Sequence, residues 1–155
     1  MITLESAFSW LNQFNVSHLT SNIRQIVDHW MDSGISDITF GGIKQRALLT
    51  ITDLDPLERP EVLLAAALAE NRRGQRDASR NSIREALNLC PETLANRHRR
   101  AVALWMAGIL EYQALENMTA YSCWQAARLI FETLGSEARA VRAAEKARWY
   151  FDRVF

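Results

Sequence analysis

Arginine is the residue type whose spacing in this chain most readily suggests chemistry. Eight arginines fall between Arg72 and Arg100, opposed there only by Asp77, Glu85 and Glu92. Arg76, Arg80 and Arg84 recur every fourth residue and so share one face of a helix. Arg97, Arg99 and Arg100 gather with His98 near the start of the next helix. Guanidinium groups grip phosphates in bidentate fashion, so these six arginines form a candidate anion-binding set. The plainer reading is a solvated face that pairs locally with Asp77 and Glu85. No aromatic residue interleaves with the arginines, and stacking of single-stranded bases is therefore not suggested.

The remaining reactive groups are sparse. His18, Asp28 and His29 form the one candidate metal or acid–base grouping of the N-terminal part, and their spacing fits none of the metal motifs. Glu70 and Glu111 recur at equivalent places in two stretches of the chain. Paired carboxylates can exchange protons, but recurrence argues for a structural role, such as pairing with an Arg on the neighbouring helix. Cys90 and Cys123 lack paired spacing and read as ordinary buried thiols. There is no phosphate-binding glycine loop, nucleophile elbow or pair of histidines on one helix face. The sequence predicts no enzyme, no cofactor and no bound metal.

The elements that position these residues follow from composition and periodicity. The chain has 155 residues, 48% of them apolar, and five tryptophans. That suffices for one folded domain. Net charge is zero but unevenly spread. Residues 1–60 hold seven acids and four bases, and residues 61–155 hold eleven acids and fourteen bases. Near-neutrality argues against a dedicated nucleic-acid binder. Met1 to Trp10 lack the basic opening and apolar run of a secretory signal. The apolar stretch Leu63 to Ala69 is far short of a membrane span. A cytoplasmic protein that does not enter a membrane is expected.

Leu4 to Phe14 reads as a first helix, with Leu4, Ala7, Phe8, Leu11 and Phe14 on one side. Leu19 to Met31 reads as a second, with Gly34 just beyond its end. Residues 35–54 admit two readings. Ile35 to Phe40 followed by Gly41-Gly42 suits a strand entering a tight turn. A helix from about Gly42 to Thr52 is favoured, because the rest of the chain offers no sheet for a lone hairpin to join. A helix opens at Arg59-Pro60-Glu61 and ends at Gly74. The next is capped by Asp77 and stops at Cys90-Pro91. A long helix runs from Thr93 to about Leu115. Another, capped by Asn117 or Thr119, ends at Leu134-Gly135, and a charged last helix begins at Ser136.

Two of these helix pairs match at an offset of 41 residues. Ala67, Ser79, Ile83 and Ala86 answer to Gly108, Ala120, Trp124 and Ala127, and Leu63, Leu68 and Glu70 to Leu104, Ile109 and Glu111. Such repetition marks stacked helix pairs, since one pair alone cannot bury its apolar face. Ala67, Gly74, Ser79, Ile83, Ala86 and Pro91 over residues 60–93, and Gly108, Ala120, Trp124 and Ala127 over residues 101–132, resemble the tetratricopeptide repeat. Both units carry Glu70 and Glu111 where that family has Tyr, and the second has Leu115 for the turn glycine and Glu132 for the closing proline.

The resemblance implies an all-α, right-handed stack of antiparallel hairpins with six to seven helices in a single domain, 1–155. Residues 1–58 would form N-terminal helices, with 19–56 admitting a third, degenerate unit. Residues 60–93 and 94–134 would be the repeats, and 136–155 a capping helix. It also implies a concave groove lined by Leu64, Leu68, Asn71 and Arg72, then by Trp105, Ile109, Tyr112 and Gln113. Trp105, Ile109 and Tyr112 do stand on a face distinct from Leu104, Gly108 and Glu111. The Lys and Asn of chaperone-tail clamps are replaced by apolar residues, which argues against that ligand.

An apolar groove suits an amphipathic helix or hydrophobic peptide, unless the chain's own terminal helices fill it. The expected function is a non-enzymatic adaptor for a protein or peptide partner, as a homodimer or in a heterocomplex. A nucleic-acid or phospholigand module on the arginine face is the second reading.

Overall fold

The computed structural model describes residues 3–13, 25, 28–30, 36, 40–42, 44–45, 58–90, 97–133 and 152. Every element among them is helical. The chain gathers into two compact units, one made of Met1–Ser17 with Cys90–Phe155 and the other of His18–Leu89. The expected C-terminal helix from Ser136 and the second helix at Leu19 to Met31 fall largely outside the described residues.

In the unit His18–Leu89, two helices form a hairpin. We label the N-terminal helix of the chain, Leu4–Gln13, α1; the hairpin helices are α2, Glu58–Arg72, and α3, Arg76–Leu89. Pro60 lies in the first turn of α2, where its missing N–H costs nothing. From Pro60 to Glu70 every residue of α2 is buried. Helix α3 is amphipathic by contrast and buries only Ser79, Ser82, Ile83 and Ala86. Asp77 does not cap this helix: it stands inside the first turn, and Gln75 occupies the cap position, its carbonyl accepting from the Ser79 N–H. Asp77 there complements the positive end of the helix.

Residues 40–45 of the same unit settle part of the ambiguity left by the sequence. Phe40 to Gly42 are helical, and the Phe40 N–H bonds the Ser36 carbonyl at 2.9 Å. The strand reading is therefore wrong for Phe40, and the helix begins ahead of Gly42. The buried Phe40 ring meets Trp30 edge-on at 5.6 Å, and the Arg73 guanidinium lies 4.8 Å over it.

In the other unit, α4 spans Arg97–Gln113 and α5 spans Asn117–Thr133. They form a second hairpin, with α1 packed against α4. Thr3 caps α1 by accepting the Ser6 N–H on its Oγ1 at 3.1 Å. Leu4, Ala7 and Leu11 form its buried stripe, whereas Phe8 is only half-buried. Helix α4 buries Arg99 and every residue from Ala101 to Glu111. Glu116, not Asn117 or Thr119, occupies the cap position of α5, since its carbonyl accepts from the Ala120 N–H.

The two hairpins turn in the same way. The Gly74 N–H bonds the Asn71 carbonyl at 3.1 Å and the Gln75 N–H the Glu70 carbonyl at 2.9 Å. Forty-one residues on, Leu115 bonds Tyr112 at 3.1 Å and Glu116 bonds Glu111 at 2.9 Å. Both are Schellman closures, which need a left-handed residue after the helix. Gly74 supplies it at φ 77°, and Leu115 adopts φ 63° although it has a side chain. Leu115 is 83% exposed, so burial contributes little to offset that strain.

Leu115→Gly should therefore stabilise the fold by about 1 kcal/mol, and Gly74→Ala should destabilise it by about 1 kcal/mol. Urea unfolding of the two variants checks both signs.

Candidate functional site

The eight groove residues divide by burial. Leu64, Leu68, Trp105 and Ile109 lie in the interior of the chain. Trp105 has no exposed surface, and its ring lies 5.5 Å from Trp124. All four are withdrawn from solvent, because residues 62–69 of α2 and 101–110 of α4 are apolar and buried throughout, as helix stretches without a polar face are. A groove filled by the chain's own helices is the reading that this burial suits. The other four are accessible. Asn71 is half-buried, Arg72 and Gln113 are exposed, and Tyr112 is 38% exposed while its ring rests 5.8 Å from Trp124. Asn71 and Arg72 end α2 as Tyr112 and Gln113 end α4, each pair standing at the same place before its turn.

The arginines separate likewise. Arg76, Arg80 and Arg84 belong to α3, and Arg97, Arg99 and Arg100 to α4, so the six fall in different units. Arg76, Arg84 and Arg97 are exposed. Arg80 leans toward Asp77 at 3.9 Å, as expected of a local pair, and Glu85 pairs with Arg59 at 3.6 Å. Arg99 is buried and cannot present its head to an external phosphate. Arg100 is half-buried and donates from Nη1 to the Cys90 carbonyl at 3.0 Å. Arg97 and Arg100 line a pocket of about 280 Å³ with Leu129, Ile130 and Thr133. Sequence reasoning missed the three α5 residues, although an antiparallel hairpin must set the start of one helix beside the end of the next.

Glu70 plays the structural part foreseen for it, with a different partner. Its carboxylate accepts from the Ser82 hydroxyl at 2.6 Å and from Lys44 Nζ at 3.4 Å, and Lys44 also donates to Ser82 Oγ at 2.9 Å. Ser82 and Glu70 are buried. A serine, lysine and carboxylate in contact resemble a nucleophilic site. Here the hydroxyl is closed off from any substrate, and the trio instead satisfies a buried charge. Asp28 and His29 are exposed, while His18 lies outside the described residues. Among the described residues no three His, Cys, Asp or Glu side chains converge to hold a metal, and no helix is long and apolar enough to cross a membrane.

The thiols differ from one another. Cys90 is buried as expected, and Cys123 is only half-buried. Burial pushes the Cys90 thiol up, against a smaller downward pull from Arg99 and Arg100. It therefore stays protonated and inert at neutral pH.

No family model matches the chain, and no curated protein or solved structure matches it.

A thiol reagent such as dithionitrobenzoate at about pH 8 should modify Cys123 first, and Cys90 only after urea unfolds the chain. Equal rates for the two in the native state would contradict the burial described.

Proposed function

We propose that this chain is a non-enzymatic interaction protein, built of tetratricopeptide-like hairpins, that holds a protein or peptide partner. The observation that carries this reading is the matched pair of hairpins. The same backbone bonds recur 41 residues apart around Gly74 and Leu115, and the same helix ends stay accessible beside them. Repeated hairpins are above all binding scaffolds. The stacked arrangement that the tetratricopeptide resemblance implies belongs to this proposal.

Burial of Trp105 moves the partner-contacting role to the accessible residues, Asn71, Arg72, Tyr112 and Gln113. Tyr112 is the natural anchor, an aromatic side chain braced from beneath by Trp124 and open on its outer side. Leu115 and Met118 stand beside it in sequence as the most exposed large apolar side chains among the described residues. The nucleic-acid reading is weaker, because only part of the arginine set faces solvent.

Trp105→Ala is a poor test, since emptying that site should cost about 3–5 kcal/mol of stability. Tyr112→Ser with Gln113→Ser leaves the interior in place. With its melting temperature close to that of the wild type, this double variant should lose a partner that wild type captures from native lysate at about 0.5 M salt. Undiminished capture by the variant would overturn the surface assignment. Capture of nucleic acid alone, released on raising salt, would overturn the adaptor reading.

A further inference from the structure

We infer that the pocket between the start of α4 and the end of α5 binds an organic anion, a carboxylate head on a short apolar body. Its volume, about 280 Å³, is near the lower end of small-molecule sites and suits a compact ligand. Its lining has two chemistries. Arg97 and Arg100 bring guanidinium groups, and Leu129 and Ile130 bring aliphatic surface. Thr133 also lines it, its hydroxyl donating to the Ile130 carbonyl at 2.7 Å.

The two arginines are unequal. Arg100 donates to the Cys90 carbonyl, a bond that helps fix its place in the wall before any ligand arrives. Arg97 is exposed and closes on a ligand from the solvent side. A planar guanidinium pairs with a carboxylate through two parallel bonds. Leu129 is 52% exposed, an aliphatic side chain at a charged rim, and the apolar body of such an anion would cover it.

The charge pattern of α4 adds to this. Its first turn reads Arg97-His98-Arg99-Arg100 and contains no acid. The amino end of a helix already carries positive partial charge, so cations there are disfavoured and an anion is welcome. The competing role for both arginines is to neutralise the carbonyl end of α5, which forms the opposite wall. That role needs no ligand. Two sources offer the inferred chemistry, a free small acid and the C-terminal carboxylate of a peptide ending in an aliphatic residue.

The test uses the full chain and four probes, N-acetyl-leucine, N-acetyl-leucinamide, hexanoate and inorganic phosphate. Binding is followed by calorimetry and by NMR shifts of the Ile130 methyls. N-acetyl-leucine should bind with a Kd of roughly 1 mM, and its uncharged amide about tenfold more weakly. Arg97→Gln should weaken N-acetyl-leucine about fivefold or more, and Leu129→Ser should weaken it without altering the salt dependence. Both side chains are exposed, so the variants should keep the wild-type urea midpoint. Preference for N-acetyl-leucine over hexanoate assigns the chain-end source, and the reverse assigns the free acid; either supports the anion pocket. Equal binding of acid and amide would overturn it, as would no Ile130 shift at about 20 mM probe. Phosphate binding as tight as that of N-acetyl-leucine would remove the apolar half of the inference.

Discussion

The structure of the larger unit depends on how closely α4 and α5 approach at Gly108. A Cβ there would run into the Trp124 indole, so only glycine lets the two helices meet. The indole lies over this gap and donates from Nε1 to the Trp105 carbonyl at 3.2 Å. A carbonyl has two lone pairs, so this one serves the helix and the neighbouring indole together. The buried indole thus satisfies its N–H without a dedicated polar partner, which a large aromatic in an apolar interior needs. Trp105 and Tyr112 then arrange themselves around Trp124.

The smaller hairpin solves the same problem with smaller parts. Ala67 and Ile83 stand where Gly108 and Trp124 stand, and the hydroxyl of Ser79 bonds the Ala67 carbonyl at 2.6 Å. By position in the repeat a small residue answers a moderate one in the first hairpin, and a glycine faces the largest one in the second. In both, a side chain of the second helix is hydrogen-bonded to a backbone carbonyl of the first. Interior packing density leaves little latitude in such pairs, which is why both sizes change together.

Much of this was legible in the residues themselves. Pro60, Gly74 and Cys90-Pro91 punctuate α2 and α3, and the structure ends the helices within a residue or two of those signals. The matched sizes at Ala67, Ile83, Gly108 and Trp124 marked the contact positions before any coordinates. Leu64, Leu68, Trp105 and Ile109 are buried, and their spacing alone left open whether the groove they were expected to line is free or filled. Periodicity reports which residues share a helix face, but not whether another element covers it. The uninterrupted apolar run from Leu63 to Ala69 carried that information, since a helix without a polar side is an interior helix. The partnership of Lys44 with Glu70 and Ser82 left no local trace, because it joins residues 26 and 38 positions apart. Leu115 is the instructive departure: the turn demanded a left-handed residue, and the fold imposed that geometry on a leucine.

Hydrogen exchange at the indole N–H of Trp124, followed by NMR as a function of urea, tests the central claim most directly. The account predicts exchange only through global unfolding, with protection that falls with urea as the stability of the whole chain does. Fast exchange in the native state, insensitive to urea, would mean that the indole is not bonded to the Trp105 carbonyl and that the helices do not close at Gly108.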